Sequence, residues 1–274
     1  MLCSDLELSR RLERAEGFAC VQFAAARRRL FPDSGSEWME CAGAYAGFDG
    51  VDSPVTQTFC LGLFEELTPS SLDTLEKFFF ERGADVHHEA SPFAGTAALD
   101  LLCSRGYRPF EISNVLYQPL PRNQELSSAA PSEAVTVRAI SAGEAQLWSS
   151  ISARGWSHEH PELEDILLEL GAVTAAREGN SSFIAEYKGT PGAAGALSIH
   201  KGVALLVGAS TVPELRRLGL QSALLAYRLN FAVEHGCDVA MIVTEPGSGS
   251  QRNAEREGFK VAYTRTKWRL TRPA

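Results

Sequence analysis

A repeat too long for a solenoid is the feature that most constrains this 274-residue chain. Glu81-Arg82-Gly83-Ala84-Asp85-Val86 matches Glu234-His235-Gly236-Cys237-Asp238-Val239 at an offset of 153, and Arg105-Gly106-Tyr107 matches Glu257-Gly258-Phe259 at an offset of 152. Two anchors at nearly equal spacing imply two copies of one domain. Between them, residues 122–132 are rich in Pro, Ser and Ala and have no apolar period, which reads as a linker. The expected organisation is therefore a first copy at 1–121 and a second at 133–274.

The second copy alternates strand and helix signals. Val135–Arg138 alternates and would open the domain as a strand. Phe183–Tyr187 and Ala193–His200 read as paired strands, with Gly189–Gly192 turning between them. Val203–Val212 is a nearly continuous apolar run, the pattern of a strand buried on both faces. Leu220, Leu224, Tyr227 and Phe231 then recur at helical spacing, and Gly236 ends that helix. Val239–Thr244 is a second buried strand, so strand, helix and strand imply a parallel pair in an α/β (α+β) fold. A helix over 250–257, stopped by Gly258, and a strand over 260–270 complete the copy.

Charge and motif content exclude several functions. With 34 acidic against 26 basic residues, a net charge of −8 supplies no broad basic surface for nucleic acid. Arg27-Arg28-Arg29 reads as the end of a helix, and His87-His88 as a strand end. No stretch approaches the ~18 apolar residues of a membrane span, so no membrane partner is expected. Six scattered cysteines without a CxxC pair suggest free thiols and a cytoplasmic location. His158 and His160 stand two apart with no third ligand evident, and no metal is expected. Gly247-Ser248-Gly249-Ser250-Gln251-Arg252 approaches a dinucleotide fingerprint but ends on Arg252, and it alone favours an oxidoreductase.

The segment that carries chemistry is Thr211-Val212-Pro213-Glu214-Leu215-Arg216-Arg217-Leu218-Gly219-Leu220-Gln221-Ser222, between a buried strand and its helix. A helix N-terminus offers unpaired N–H groups and a partial positive charge, and Gly219 lets an anion approach the backbone. Preceded by two arginines, such a turn is a cradle for a diphosphate. Arg216-Arg217-Leu218-Gly219-Leu220-Gln221 resembles the Arg/Gln-x-x-Gly-x-Gly/Ala loop of the GNAT acyltransferase superfamily, departing from it at Gln221.

The resemblance implies two tandem GNAT-like domains, each a mixed twisted sheet flanked by helices, with acetyl-CoA as co-substrate. Carried over, Ser210, Thr211 and Val212 would pair with the pantetheine arm, and Arg217, Leu218, Gly219, Leu220, Gln221 and Ser222 would hold the pyrophosphate. Asn253 and Arg256 would flank the cofactor, and Trp156 and His158 would touch the acceptor. Glu245, after a buried strand, is the candidate base. The family's usual acid, a tyrosine, is replaced by Ala254, leaving Tyr263 or Ser250 as substitutes.

In the first copy, Leu63-Phe64-Glu65-Glu66-Leu67-Thr68 stands where the second has Arg216–Gln221; two glutamates and no glycine would repel a diphosphate. The expectation is a degenerate first copy beside an N-acyltransferase that moves acetyl to the amine of a small molecule or peptide. The alternative is a CoA-binding or scaffold protein without catalysis. Internal duplication leaves monomer and homodimer both open.

Overall fold

The structure is a computed structural model, and it describes residues 4–121, 133–141, 143–158 and 161–273. The expected linker over 122–132, together with Glu159 and His160, lies outside the described residues. In chain order the elements are α1 (Leu6–Leu30), β1 (Glu37–Cys41), β2 (Ala44–Phe48), β3 (Gln57–Phe59), α2 (Pro69–Phe80), β4 (Val86–Ala90), α3 (Gly95–Ser104) and β5 (Arg108–Pro119). There follow β6 (Val135–Ala139), α4 (Ala145–Trp156), α5 (Glu164–Ala175), β7 (Asn180–Tyr187), β8 (Thr190–His200), β9 (Val203–Thr211), α6 (Leu220–Glu234), β10 (Val239–Thr244), α7 (Gly249–Arg256) and β11 (Lys260–Leu270). No helix among the described residues is long and apolar enough to cross a membrane.

The compact units follow a different division from the covalent order. One comprises 1–118 with 241–274, and the other 119–240. The reason is the path of β11. It pairs antiparallel with β4 on one side and with β5 on the other, so its ladder bonds go to the first copy.

In the first unit, β1, β2 and β3 run antiparallel, β3 meets β4 in parallel, and β11 and β5 continue the sheet to β10. One face carries an apolar core from Leu72, Leu75 and Phe79 of α2 to Leu102 of α3 and Trp268. His88 belongs to this core and lies inside β4 rather than at its end. Its Nε2 is 3.0 Å from the Tyr107 hydroxyl, and burial lowers its pKa to about 3.

The other face, under α1, holds a buried ionic cluster. Arg265 of β11 reaches Glu13 at 3.1 Å and Glu16 at 2.6 Å on α1, and Glu89 of β4 at 3.0 Å. Burial works against the Arg265 charge, but Glu16, Glu13 and Glu89 outweigh it and hold the guanidinium protonated. Burial also raises the Glu13 carboxyl above its ordinary value, against the pull of Arg265. Arg27, in the last turn of α1, is committed to Asp49 at 2.6 Å.

In the second unit, β6, β7, β8 and β9 form an antiparallel sheet. The hairpin between β7 and β8 turns at Lys188-Gly189, both with positive φ, so Thr190–Gly192 belongs to the strand rather than to the expected longer turn. Ile184 packs with Trp148 of α4, while its neighbour Phe183 meets Tyr227 and Phe231 of α6 edge-on. Successive strand residues point to opposite faces, so α4 and α6 cover the two sides. Arg228 of α6 is fully buried and donates to the carbonyls of Ala196 and Leu224. Burial lowers its pKa to about 10, which leaves it charged at neutral pH.

Removing Arg265 leaves the fully buried Glu13 without a cation, so Arg265→Met should cost about 3–5 kcal/mol in urea unfolding. Glu13 sets a pH signature. Its raised value means the native state holds the proton more tightly than the unfolded chain. Stability should therefore fall as pH rises from the ordinary glutamate range through the raised value. Glu13→Gln should lack that part of the fall in unfolding midpoints measured across a pH series.

Candidate functional site

The second unit builds the strand-turn-helix segment around a bulge. On β8, Gly195 alone faces two residues of β9, Gly208 and Ala209, between the pairs Ala194↔Ser210 and Ala196↔Val207. Gly208 takes φ +61, the left-handed conformation a bulge of this kind needs. The Gly195 carbonyl accepts from the Trp148 indole N–H at 3.3 Å, and the indole also donates to Phe183 O at 3.1 Å. Sequence reading passed over this bulge; the signal was a glycine inside an otherwise apolar strand.

Beyond the bulge the strand end is clamped. Ser210 is buried and its hydroxyl donates to Ser152 O at 3.0 Å. Gly155 of α4 packs so closely that a Cβ there would lie 2.5 Å from Ser210 Oγ and 3.0 Å from Thr211 N. Val212 is buried, and its N–H and carbonyl are both engaged, with Gly192 O and Leu215 N. Arg216 folds back onto Thr211 O and Gly155 O.

The turn that follows is open. Arg217 is exposed with φ +65, and Gly219 caps α6 at φ +84 with no atom within 4 Å of where a Cβ would stand. The helix has no side-chain cap. Among the described residues, the N–H groups of Leu218 to Ser222 have no acceptor. The Gln221 side chain turns back to accept from the Thr211 hydroxyl at 3.3 Å, leaving the space over Gly219 clear. Leu220 is buried and anchors the turn, while Ser222 is exposed.

The first copy's corresponding helix start is closed. Thr68 and Ser71 form a reciprocal capping box on α2: each side chain accepts from the other's backbone N–H, at 3.2 and 2.9 Å. Glu65 and Glu66 stand just before it.

The first unit holds the remaining predicted residues. A groove of about 1100 Å³ runs along Pro109–Asn114 of β5 and the end of β10, from Val243 to Pro246, with Thr264 of β11. Glu245 is exposed in its wall and makes no ion pair among the described residues. Asn114 is held by Thr264 at 2.7 Å and by Gln251 at 3.3 Å.

Tyr263 corrects an expectation. It is 7% exposed, lies outside the groove wall, and donates to Glu13 at 2.9 Å. Burial and the Glu13 charge raise its phenol well above the ordinary value, so it belongs to the ionic cluster rather than to proton transfer. Asn253 and Arg256 are exposed on α7 and bond to each other. Ala254 is buried under that helix. The Gly247 turn is closed by its own side chains: Gly247 N donates to Gln251 at 2.7 Å and Gly247 O accepts from Arg252 at 2.6 Å, which removes the basis for a dinucleotide site. In the second unit, Trp156 and His158 are exposed at and beyond the end of α4.

Residues 145–259 match the model of the Acetyltransferase (GNAT) family, and that stretch is a GNAT domain. No curated protein matches the chain. Among solved structures, a GCN5-related N-acetyltransferase from Kribbella flavida is similar at TM-score 0.65 and 18% identity, over 91% of this chain and 95% of that one. A tandem GNAT protein from the clavulanic acid biosynthesis pathway is similar at TM-score 0.60 and 12% identity, over 98% and 96%. A GCN5-related N-acetyltransferase from Sphaerobacter thermophilus reaches 0.55 and 19%, over 84% and 78%. These likenesses establish a shared fold.

The clamp on the strand end is testable. Gly155→Ala overpacks Ser210 and should cost about 1–3 kcal/mol, read as a lower unfolding midpoint. Adding Ser210→Gly, which removes the clashing hydroxymethyl, should recover most of the loss.

Proposed function

We propose that the protein is an N-acyltransferase that takes an acetyl group from acetyl-CoA and places it on an amine. The observation that carries this reading is the contrast between the two helix starts. The first copy satisfies its own N–H groups with Thr68 and Ser71, whereas the second leaves a row of them free beside Arg217 and an open Gly219. A row of unpaired donors on a positive helix end suits a diphosphate.

When bound, acetyl-CoA supplies an activated acyl carbonyl. The N–H groups of residues 218–222 and the Arg217 side chain would hold the diphosphate. Ser210 and Thr211 would offer backbone groups to the pantetheine arm; Val212 is already satisfied within the unit and drops from that set. Glu245 would take a proton from the acceptor's ammonium, freeing the nitrogen lone pair for attack. Ala254, buried where the family carries a tyrosine, favours a second reading: CoA binding without turnover.

Calorimetric titration with acetyl-CoA, beside NADH as control, tests the first step. Binding should be lost in Gly219→Asp, whose carboxylate would stand where the diphosphate sits; binding unchanged in that variant would remove the turn from the cofactor site. Turnover on an amine panel then separates the enzyme from the binding protein. Glu245→Gln should lower kcat about 10²-fold with little change in KM for acetyl-CoA.

A further inference from the structure

The groove beside Glu245 lies along the edge of a strand. Pro109 to Asn114 are six consecutive residues of β5, and all of them line it. Because successive strand residues point to opposite faces, one groove touches six in a row only by running along the backbone edge. One edge of β5 is occupied by β11 down to Arg108.

The repeat shows how far the other edge is covered. In the first copy, β4 pairs with β11 from Val86↔Leu270 to Ala90↔Thr266. Shifted by the two repeat offsets, the same register sets Val243 opposite Asn114 and Thr244 opposite Ser113. There β10 ends. Residues 108–112 of β5 therefore extend past their neighbour, with all five exposed. They offer a free edge of about 17 Å.

The counterpart stretch of β11 is not free. Ser4 donates to the Ala262 carbonyl there, and Phe93 packs edge-on against Tyr263 at 5.7 Å. Among the described residues, the chain covers one of its two equivalent edges and leaves the other exposed. An open edge is a template for strand addition.

From this, and resting on the acyl-transfer reading above, we infer that the acceptor is a peptide that adds as a short strand to residues 108–112 and presents its N-terminal α-amine to Glu245. The peptide takes up the line of β10 where that strand stops, so its first residue abuts Glu245. Phe110 and Ile112, 44% and 54% exposed on one face, offer apolar contact to alternate side chains of the peptide. On the other face Glu111 is paired with Lys267 at 3.2 Å. Arg269 lies over the Phe110 ring at 5.3 Å and places positive charge at the end remote from Glu245. That arrangement disfavours a polyamine and suits a chain with a single cationic end.

The test is a titration of the full-length protein with a free-amine pentapeptide of alternating valine and serine. Its N-acetylated copy, spermidine and phenethylamine serve as comparisons. The free peptide should bind at least about tenfold more tightly than the other three, as charge-assisted and main-chain hydrogen bonds combine. Single N-methylation along the peptide should weaken binding at alternate positions only, the signature of strand pairing. Glu245→Gln, an exposed substitution, should weaken the free peptide and leave the acetylated copy unchanged. Equal loss at every N-methyl position, no loss at any, or a small amine or spermidine binding as tightly as the peptide would overturn the inference. If acetyl-CoA still binds and is lost in Gly219→Asp, the acyl-CoA reading stands and the peptide assignment alone falls.

Discussion

The architecture of the first unit depends on one buried guanidinium. Arg265 sits on the last strand of the chain, and its partners Glu13, Glu16 and Glu89 all belong to the first copy. A buried cation with three carboxylates about it tolerates no other placement, because each alternative leaves charges without partners in a dry core. The ion cluster thus fixes β11 between β4 and β5. That placement brings the end of β10, with Glu245, into the same compact unit as the first copy. Within that unit β5 supplies the wall along which the Glu245 groove runs.

The starts of α2 and α6 differ in how they are capped. Thr68 and Ser71 close the start of α2 with a capping box, which contributes on the order of 1 kcal/mol to helix stability. The second copy forgoes that contribution at Gly219 and carries a non-glycine residue, Arg217, in left-handed conformation. Local stability surrendered at one helix start and kept at the other is what the proposed cofactor turn requires.

Much of this was legible in the sequence. The repeat at offsets of 153 and 152, the buried strands at Val203 and Val239, and the loop around Gly219 all rest on local spacing, and local spacing survives folding. What escaped reading was non-local. The exchange of β11 depends on Arg265 meeting carboxylates some 250 positions away, and no periodicity encodes that. Tyr263 looked like a spare acid because Ala254 stands where the family carries its tyrosine, but nothing local says that α1 would bury its hydroxyl against Glu13. The bulge at Gly208 was visible only as a glycine, and its purpose, offering the Gly195 carbonyl to Trp148, required the fold.

The absent tyrosine at Ala254 bears on which amine this site can serve. A side-chain amine of pKa ~10.4 is neutral in about one molecule in 10³ at pH 7, so its acylation leans heavily on a base. An N-terminal α-amine, at roughly 7.7–8.0, is already neutral in about one molecule in ten. On the proposed acyl-transfer reading, an exposed Glu245 with no phenol lining its groove among the described residues matches an α-amine far better than a lysine-like one. The chemistry of the acceptor's nitrogen and the open edge of β5 point to the same end of a peptide, though one is read from proton affinity and the other from strand register.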